Sequence, residues 1–385
     1  MKVAYLSSIA YSDVDISMLS SLQKQVNITY YVLLGPHSLC SCALDFRNIS
    51  LKVGMNCAKS IPELEKFANV IDLSRFYVFY NPSRHAYEPS AIKYNYKLYR
   101  HLVEERYDVV HTTIFPSFLN PFMYMLRKKL VLTVHDPIPH SSGNYRMDHW
   151  NRIVALKYIK NFILLNRAQK EDFIAMYGLM KESINIYDSQ LSSYTYLSMY
   201  ESKETNTYPY ILYFGNILSY KGLEYLFEAM EKVHSVLPNL KLIAAGKGKY
   251  YFDIEKYQSS DYIDIKNYFI PDEYLANLIR NCLFVVIPYV DATQSGVVMS
   301  AYAFNKPCIA TNVGGLPEMV KHETYGLIVE AKNSIELANA ILKLANSQKK
   351  LSEYSANIER DYGIGDKSWD CISVGLKSIY ERIIN

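Results

Sequence analysis

From Tyr210 to Ala345 short apolar runs alternate with amphipathic stretches, and this rhythm constrains the fold more than any other feature of the chain. It predicts strands over 210–214, 241–245, 283–287 and 307–311, and helices over 222–236, 272–281, 296–304 and 334–345. A chain that alternates in this way, with no long structureless gap, buries its strands in a parallel sheet and covers both faces with helices. The first half carries the same signature. Strands are predicted at 3–6, 28–34, 109–111, 130–134 and 162–165, and helices at 94–105 and 169–177, the latter closing on Gly178. Between the halves, residues 188–208 are polar and rich in Ser, Thr and Tyr, and Pro209 ends the stretch. A length of 385 residues suits two domains. The expected class is α/β: two facing Rossmann-like, doubly wound parallel-sheet domains over 1–200 and 201–365, then a C-terminal helix over 366–385 that crosses back to the N-terminal domain.

Half of the residues are hydrophobic and 21% are charged, so the chain can bury two cores and is not disordered. No uncharged apolar run reaches the length of about 18 residues that a membrane span needs, and the start MKVAYLSSIA has no secretory signature. The six cysteines show no C-x-x-C pair and no His at zinc-like spacing, which fits reduced thiols in a cytoplasmic protein without a metal site. Residues 1–190 hold 22 Lys and Arg against 16 Asp and Glu, whereas the remainder holds 19 against 22. The basic bias includes Arg127, Lys128 and Lys129, and then Lys157, Lys160, Arg167 and Lys170. Two readings stay open for these cations, a solvated helix face or peripheral contact with anionic lipid headgroups at the inner face of a membrane. Nothing in the pattern calls for a nucleic acid partner.

Three segments of the second half put chemistry at predicted strand ends. In YFGNILSYKGLEYLFEAM the strand ends at Gly215, Asn216 follows, and Lys221-Gly222 opens a helix. Glycine lets the backbone approach a ligand, and a lysine at a helix N-terminus adds a point charge to the positive end of the dipole, which suits a pyrophosphate. A plain strand-to-helix join has the same residues. In LIAAGKGKY, Gly246 and Gly248 bracket another strand end, read either as a tight turn or as backbone against a nucleotide. In VVIPYVDATQSGVVMSAYAFNKPCIATNVGGLPEMV, Asp291 could accept from sugar hydroxyls, and the amides of Ser295, Gly296 and Val297 could donate to phosphate or sugar oxygens.

Read in order with VVHTTIFP and VLTVHDPIPH of the first half and a terminal DKSW, these segments resemble the GT4 family of retaining glycosyltransferases, which have the GT-B fold. The resemblance spans nearly the whole chain and is most specific in the block that ends with Gly-Gly-Leu-Pro-Glu. It implies that Lys221 neutralises the donor diphosphate and that Gly215, Gly246 and Gly248 line the nucleotide pocket. It likewise makes Glu318 the acidic residue of the Gly-Gly-x-Pro-Glu loop, for which a dipole-stabilised helix-start charge is the structural alternative. His135 and Asp136 fall where the family has polar residues beside the transferred sugar and acceptor, projecting into the cleft between domains; a strand-end turn before Pro137 is the alternative. Departures are equally clear. The usual pair of Glu residues is replaced by Ala292 and Ser300, with Asp291 adjacent to the first, and Asn216 stands where an Arg is common. The first strand is followed by SSIAYSDVDIS without the usual glycines.

The function this implies is transfer of a sugar from a UDP- or GDP-sugar to a hydroxyl of a glycan or lipid-linked acceptor with retention of configuration, without a metal or other cofactor. His135 and Asp136 are the catalytic candidates. Donor-binding candidates are Gly215, Asn216, Lys221, Gly246, Gly248, Asp291, Ser295, Gly296, Val297, Ser300 and Glu318. Two alternatives remain open: a nucleotide-sugar epimerase of GT-B fold, or a catalytically silent sugar-nucleotide-binding subunit.

Overall fold

The structure, a computed structural model, describes residues 1–117, 119–135, 145–165, 170–178, 184–201, 208–292 and 294–384. The chain divides into two compact units, Met1–Leu191 with Trp369–Asn385, and Ser192–Ser368. The first unit ends before the expected boundary at residue 200 because the following segment is tied to the second unit. The Tyr194 amide donates to the Met299 carbonyl at 3.0 Å, and an Arg280 guanidinium nitrogen donates to the Tyr200 carbonyl at 2.5 Å.

In the first unit, strands β1 (Lys2–Ser8), β2 (Asn27–Leu34), β3 (Gly54–Cys57), β4 (Phe76–Tyr80), β5 (Val109–Thr112), β6 (Leu130–Val134), β7 (Asn161–Leu164) and β8 (Asn185–Asp188) form one sheet in the order β3-β4-β2-β1-β5-β6-β7-β8. All neighbours are parallel except β3 on β4, so the expected all-parallel sheet carries one antiparallel edge strand. The central strands are buried on both faces, which is why they read as continuous apolar runs. The helix Ser12–Leu22 after β1 was not foreseen; it is buried on nearly every side, so its sequence lacks the polar stripe that marks a surface helix. The helix Trp369–Ile384 belongs to this unit, and its Tyr380 hydroxyl meets Nδ1 of His111 on β5 at 2.6 Å.

The second unit holds β9 (Tyr210–Phe214), β10 (Lys241–Ala245), β11 (Ile263–Lys266), β12 (Val285–Ile287), β13 (Cys308–Thr311) and β14 (Gly326–Val329), all parallel, in the order β11-β10-β9-β12-β13-β14. Its core is built on the helix Leu223–Val236, whose Leu223, Leu226, Phe227, Met230 and Val233 follow helical spacing and are fully buried. Burying each such side chain contributes about 1.5–3 kcal/mol. In both sheets the chain starts in the middle and builds outward in two directions, so β1 lies between β2 and β5, and β9 between β10 and β12. The crevices beyond the carboxyl ends of these strand pairs are where open α/β sheets bind ligands.

Candidate functional site

The loops after β9, β10 and β12 are joined by backbone contacts that explain their glycines. The Gly215 amide donates to the Ala245 carbonyl at 3.0 Å and the Ile217 amide to the Lys247 carbonyl at 3.1 Å, so the pairing of β9 and β10 continues past the strands. A Cβ on Gly246 would lie 1.8 Å from the Gly215 carbonyl oxygen, and one on Gly248 would lie 2.6 Å from that of Ile217. Close approach of two loops therefore suffices to require glycine at 246 and 248. Gly215 differs: with φ +123° it has a left-handed backbone, and its Cβ position looks toward Val297 with Cγ2 at 3.8 Å. Two of the predicted donor-binding residues are thus brought face to face. Asn216, next along the loop, is exposed.

Lys221 ends a short 3-10 turn, and Gly222 follows in the left-handed region at φ +62°. A Cβ there would meet the Pro288 carbonyl oxygen at 2.0 Å, and the Val290 amide donates to the Tyr220 carbonyl at 2.8 Å, so the Lys221 loop is pinned to the loop after β12. Nζ of Lys221 donates to the Tyr289 hydroxyl at 2.5 Å and lies 3.8 Å from the centroid of the same ring. Burial pushes the Lys221 ammonium down to about 8 from its ordinary 10.5. At neutral pH the group is still a cation, held where water competes poorly for it.

Ser295 is buried, Gly296 starts the helix Gly296–Tyr302, and Asp291 is exposed. A Cβ on Gly296 would press on the Tyr194 ring at 3.1 Å. The Ser300 hydroxyl donates back to the Gly296 carbonyl at 2.9 Å, which leaves only its lone pairs for a ribose. Glu318 is exposed in the four-residue helix Leu316–Met319. A helix this short aligns few peptide dipoles, so its free amides rather than a macrodipole are what it offers an anion.

In the first unit, His135 follows β6 and its ring stacks on Tyr11 at a centroid distance of 3.9 Å and 5° between planes. Burial pushes the His135 imidazole down to about 4, so it is neutral at physiological pH, and its buried Nε2 has no hydrogen-bond partner. An unpartnered nitrogen of this kind can accept a proton from, or donate a hydrogen bond to, a hydroxyl. Asp136 lies outside the described residues. Behind His135, Nε2 of His111 meets the Thr133 hydroxyl at 2.6 Å, and Tyr5 and Tyr30 donate to the buried Asp15 carboxylate at 2.8 and 3.0 Å. Sequence reasoning missed Tyr289, Tyr11 and Asp15. Only the position of Tyr289, directly after the strand-ending Pro288, gave any signal.

Two family models match the chain in tandem: Glycosyltransferase Family 4 over residues 57–186 and Glycosyl transferases group 1 over residues 208–347. The chain belongs to the GT4 type of glycosyltransferase. An uncharacterized glycosyltransferase of Methanocaldococcus jannaschii is 31% identical over 182 residues, 46% of this chain and 49% of the relative, so this match spans about half of that protein. A second uncharacterized glycosyltransferase of the same organism is 24% identical over 309 residues, covering 72% of this chain and 76% of its own. Among solved structures, HepE of Anabaena in complex with UDP has a TM-score of 0.66 at 16% identity, with 100% of this chain and 98% of that chain covered. The likeness gives both units the GT-B fold of these glycosyltransferases.

Proposed function

We propose that this GT4-type enzyme transfers a sugar from a UDP- or GDP-sugar to a hydroxyl of a glycan or lipid-linked acceptor, with retention of configuration and without a metal. The observation that carries the reading is the Lys221 ammonium held over Tyr289, at the crevice where β9 and β12 diverge. Charge develops on the leaving diphosphate as the bond to the sugar breaks, and a preorganised cation in a site that excludes water stabilises that charge most. The amides of Gly296 and Val297, across from Gly215, supply neutral donors for the same oxygens. Binding of UDP by the structurally similar HepE supports a nucleoside diphosphate as the leaving group. His135, neutral and with an unpartnered nitrogen, orients the acceptor hydroxyl or the sugar.

An exposed patch on the first unit favours acceptors at a membrane surface. Met125, Trp150 and Tyr158 are exposed near Lys128, Lys129 and Lys157, and the rings of Tyr124 and Tyr158 meet at 5.7 Å, joining the two segments. Aromatic and basic side chains together suit an anionic interface. Among the described residues no helix is long and apolar enough to cross a membrane.

The test is a thermal-shift series with UDP, GDP, ADP and CDP, with and without EDTA, followed by transfer assays from the sugar nucleotides of whichever base binds. UDP or GDP is expected to raise the melting temperature, because a ligand bound only by the folded state stabilises it by mass action, and EDTA is expected to change nothing. Absence of stabilisation by any of the four would remove the reading.

A further inference from the structure

A cavity of about 270 Å³ opens in the first unit beyond the carboxyl ends of β4, β2 and β5. Its walls come from Leu33, Phe79, Leu98 and Phe115, and its polar groups include Asn95 on the helix Pro89–Glu104 and Asn120 at the start of the helix Pro121–Met125. None of the described lining residues is ionisable. Arg152 approaches the wall from outside, with its guanidinium 4.6 Å from the Phe115 ring, and is not part of the lining.

The two amides are the unusual feature. Oδ1 of Asn120 is buried and has no hydrogen-bond partner, a state that costs the full desolvation of an acceptor unless something fills it. The other polar groups around the cavity are partly spent: Oδ1 of Asn81 accepts from the Ser83 amide at 3.1 Å, and the Ser83 and Ser90 hydroxyls pair at 2.7 Å. A side-chain amide with both ends open needs a partner that donates and accepts, and a hydroxyl does both. A phosphate or carboxylate would bring only acceptors to Asn120 Oδ1 and would find no cation in the wall. Apolar walls with Phe79 and Phe115 complement the C–H faces of a sugar or cyclitol ring.

We propose that this cavity is a subsite for an uncharged, hydroxyl-rich ring, recognised by the amides of Asn95 and Asn120 and discriminating against phosphorylated forms of the same ring. The inference rests on the transferase reading only in that such a ring would be the acceptor or the unit next to it. Binding of the ring does not require transfer.

Saturation-transfer NMR on the full chain tests it, with glucose, N-acetylglucosamine and myo-inositol as neutral probes and glucose 6-phosphate as the charged one, and with UDP in parallel samples. At least one neutral probe is expected to bind. Asn120→Leu is expected to weaken it by about tenfold, as is Asn95→Ala, a half-exposed helix position where folding is not at stake. Glucose 6-phosphate is expected to bind more weakly than glucose. Failure of all neutral probes with the intact chain overturns the proposal, as does undiminished binding by both variants. Neutral-ring binding without UDP binding supports the subsite and removes the transferase reading; UDP binding without any ring binding does the reverse.

Discussion

The Lys221 ammonium is held between two demands on one tyrosine, a hydrogen bond to the Tyr289 hydroxyl at 2.5 Å and the face of its ring at 3.8 Å. Removing the charge tests both function and stability. In Lys221→Met the contact to the leaving diphosphate is lost, for an expected cost of roughly 1.5–3 kcal/mol, or about ten- to a hundredfold in kcat/KM. The same change should raise the melting temperature at pH 7. Between about pH 8 and the ordinary 10.5 the folded chain has released a proton that the unfolded chain keeps, so wild-type stability rises with pH in that window, and the buried charge opposes folding below it. Steady-state kinetics with thermal melts at pH 7 check the pair of effects. Unchanged kcat/KM would remove Lys221 from the donor site.

Tyr289→Phe separates the two contacts, because it deletes the hydroxyl and keeps the ring. Donor KM is expected to rise only a few-fold, as the cation–π contribution of about 0.5–2 kcal/mol survives. Tyr289→Leu, which removes the ring, should approach the loss seen in Lys221→Met. Equal effects of the two Tyr289 variants would mean that the ring holds nothing.

His135→Ala is expected to lower kcat by about a hundredfold or more while leaving donor affinity nearly unchanged. Because burial pushes the wild-type imidazole down to about 4, its protonation should leave no limb near pH 6.5 in the kcat/KM profile. A rise in donor KM alone, measured by initial rates across pH 4.5–8, would reassign the residue.

Gly222→Ala and Gly215→Ala should fail differently. At Gly222 a left-handed backbone and the Pro288 carbonyl 2.0 Å from any Cβ combine, so about 3 kcal/mol or more of stability is expected to be lost. At Gly215 the strain remains but the Cβ finds only Val297 at 3.8 Å, so a smaller loss, about 1–3 kcal/mol, should accompany weaker donor binding. Denaturant unfolding and nucleotide titration calorimetry distinguish the two.

Burial pushes the Asp15 carboxyl up to about 7 from 3.8, against the hydrogen bonds of Tyr5 and Tyr30 that favour its ionised form. From pH 3.8 to 7 the folded chain keeps a proton that the unfolded chain has lost, so this group's contribution falls as pH rises through that window. The melting temperature of Asp15→Asn, relative to wild type, should therefore climb across the same range. A constant difference would mean that Asp15 is ionised throughout.

The sequence made the second unit legible because its strands are short, apolar and separated by amphipathic helices whose stripes face one core. Strands Gly54–Cys57 and Ile263–Lys266 escaped notice because they are partly exposed edges with mixed polarity, and Ser12–Leu22 because a helix buried all round has no stripe. The site was partly legible for a similar reason. Lys221 and Gly215 sit at strand ends where topology alone predicts a ligand crevice, whereas the Tyr289 and Tyr11 partners are fixed by loops from distant segments. Gly246 and Gly248 show the limit of motif reading, since loop crowding accounts for them without any ligand.

The helix Trp369–Ile384 completes the first unit after the whole of Ser192–Ser368 has been made. His111, buried in β5, acquires its Tyr380 partner only then. On the ribosome the contiguous second unit can reach its native state while the first is still missing its last helix, and a fragment cut at Leu191 would leave a buried histidine nitrogen and an apolar surface uncovered. Separate production of the first unit calls for residues 369–384 to be spliced onto it.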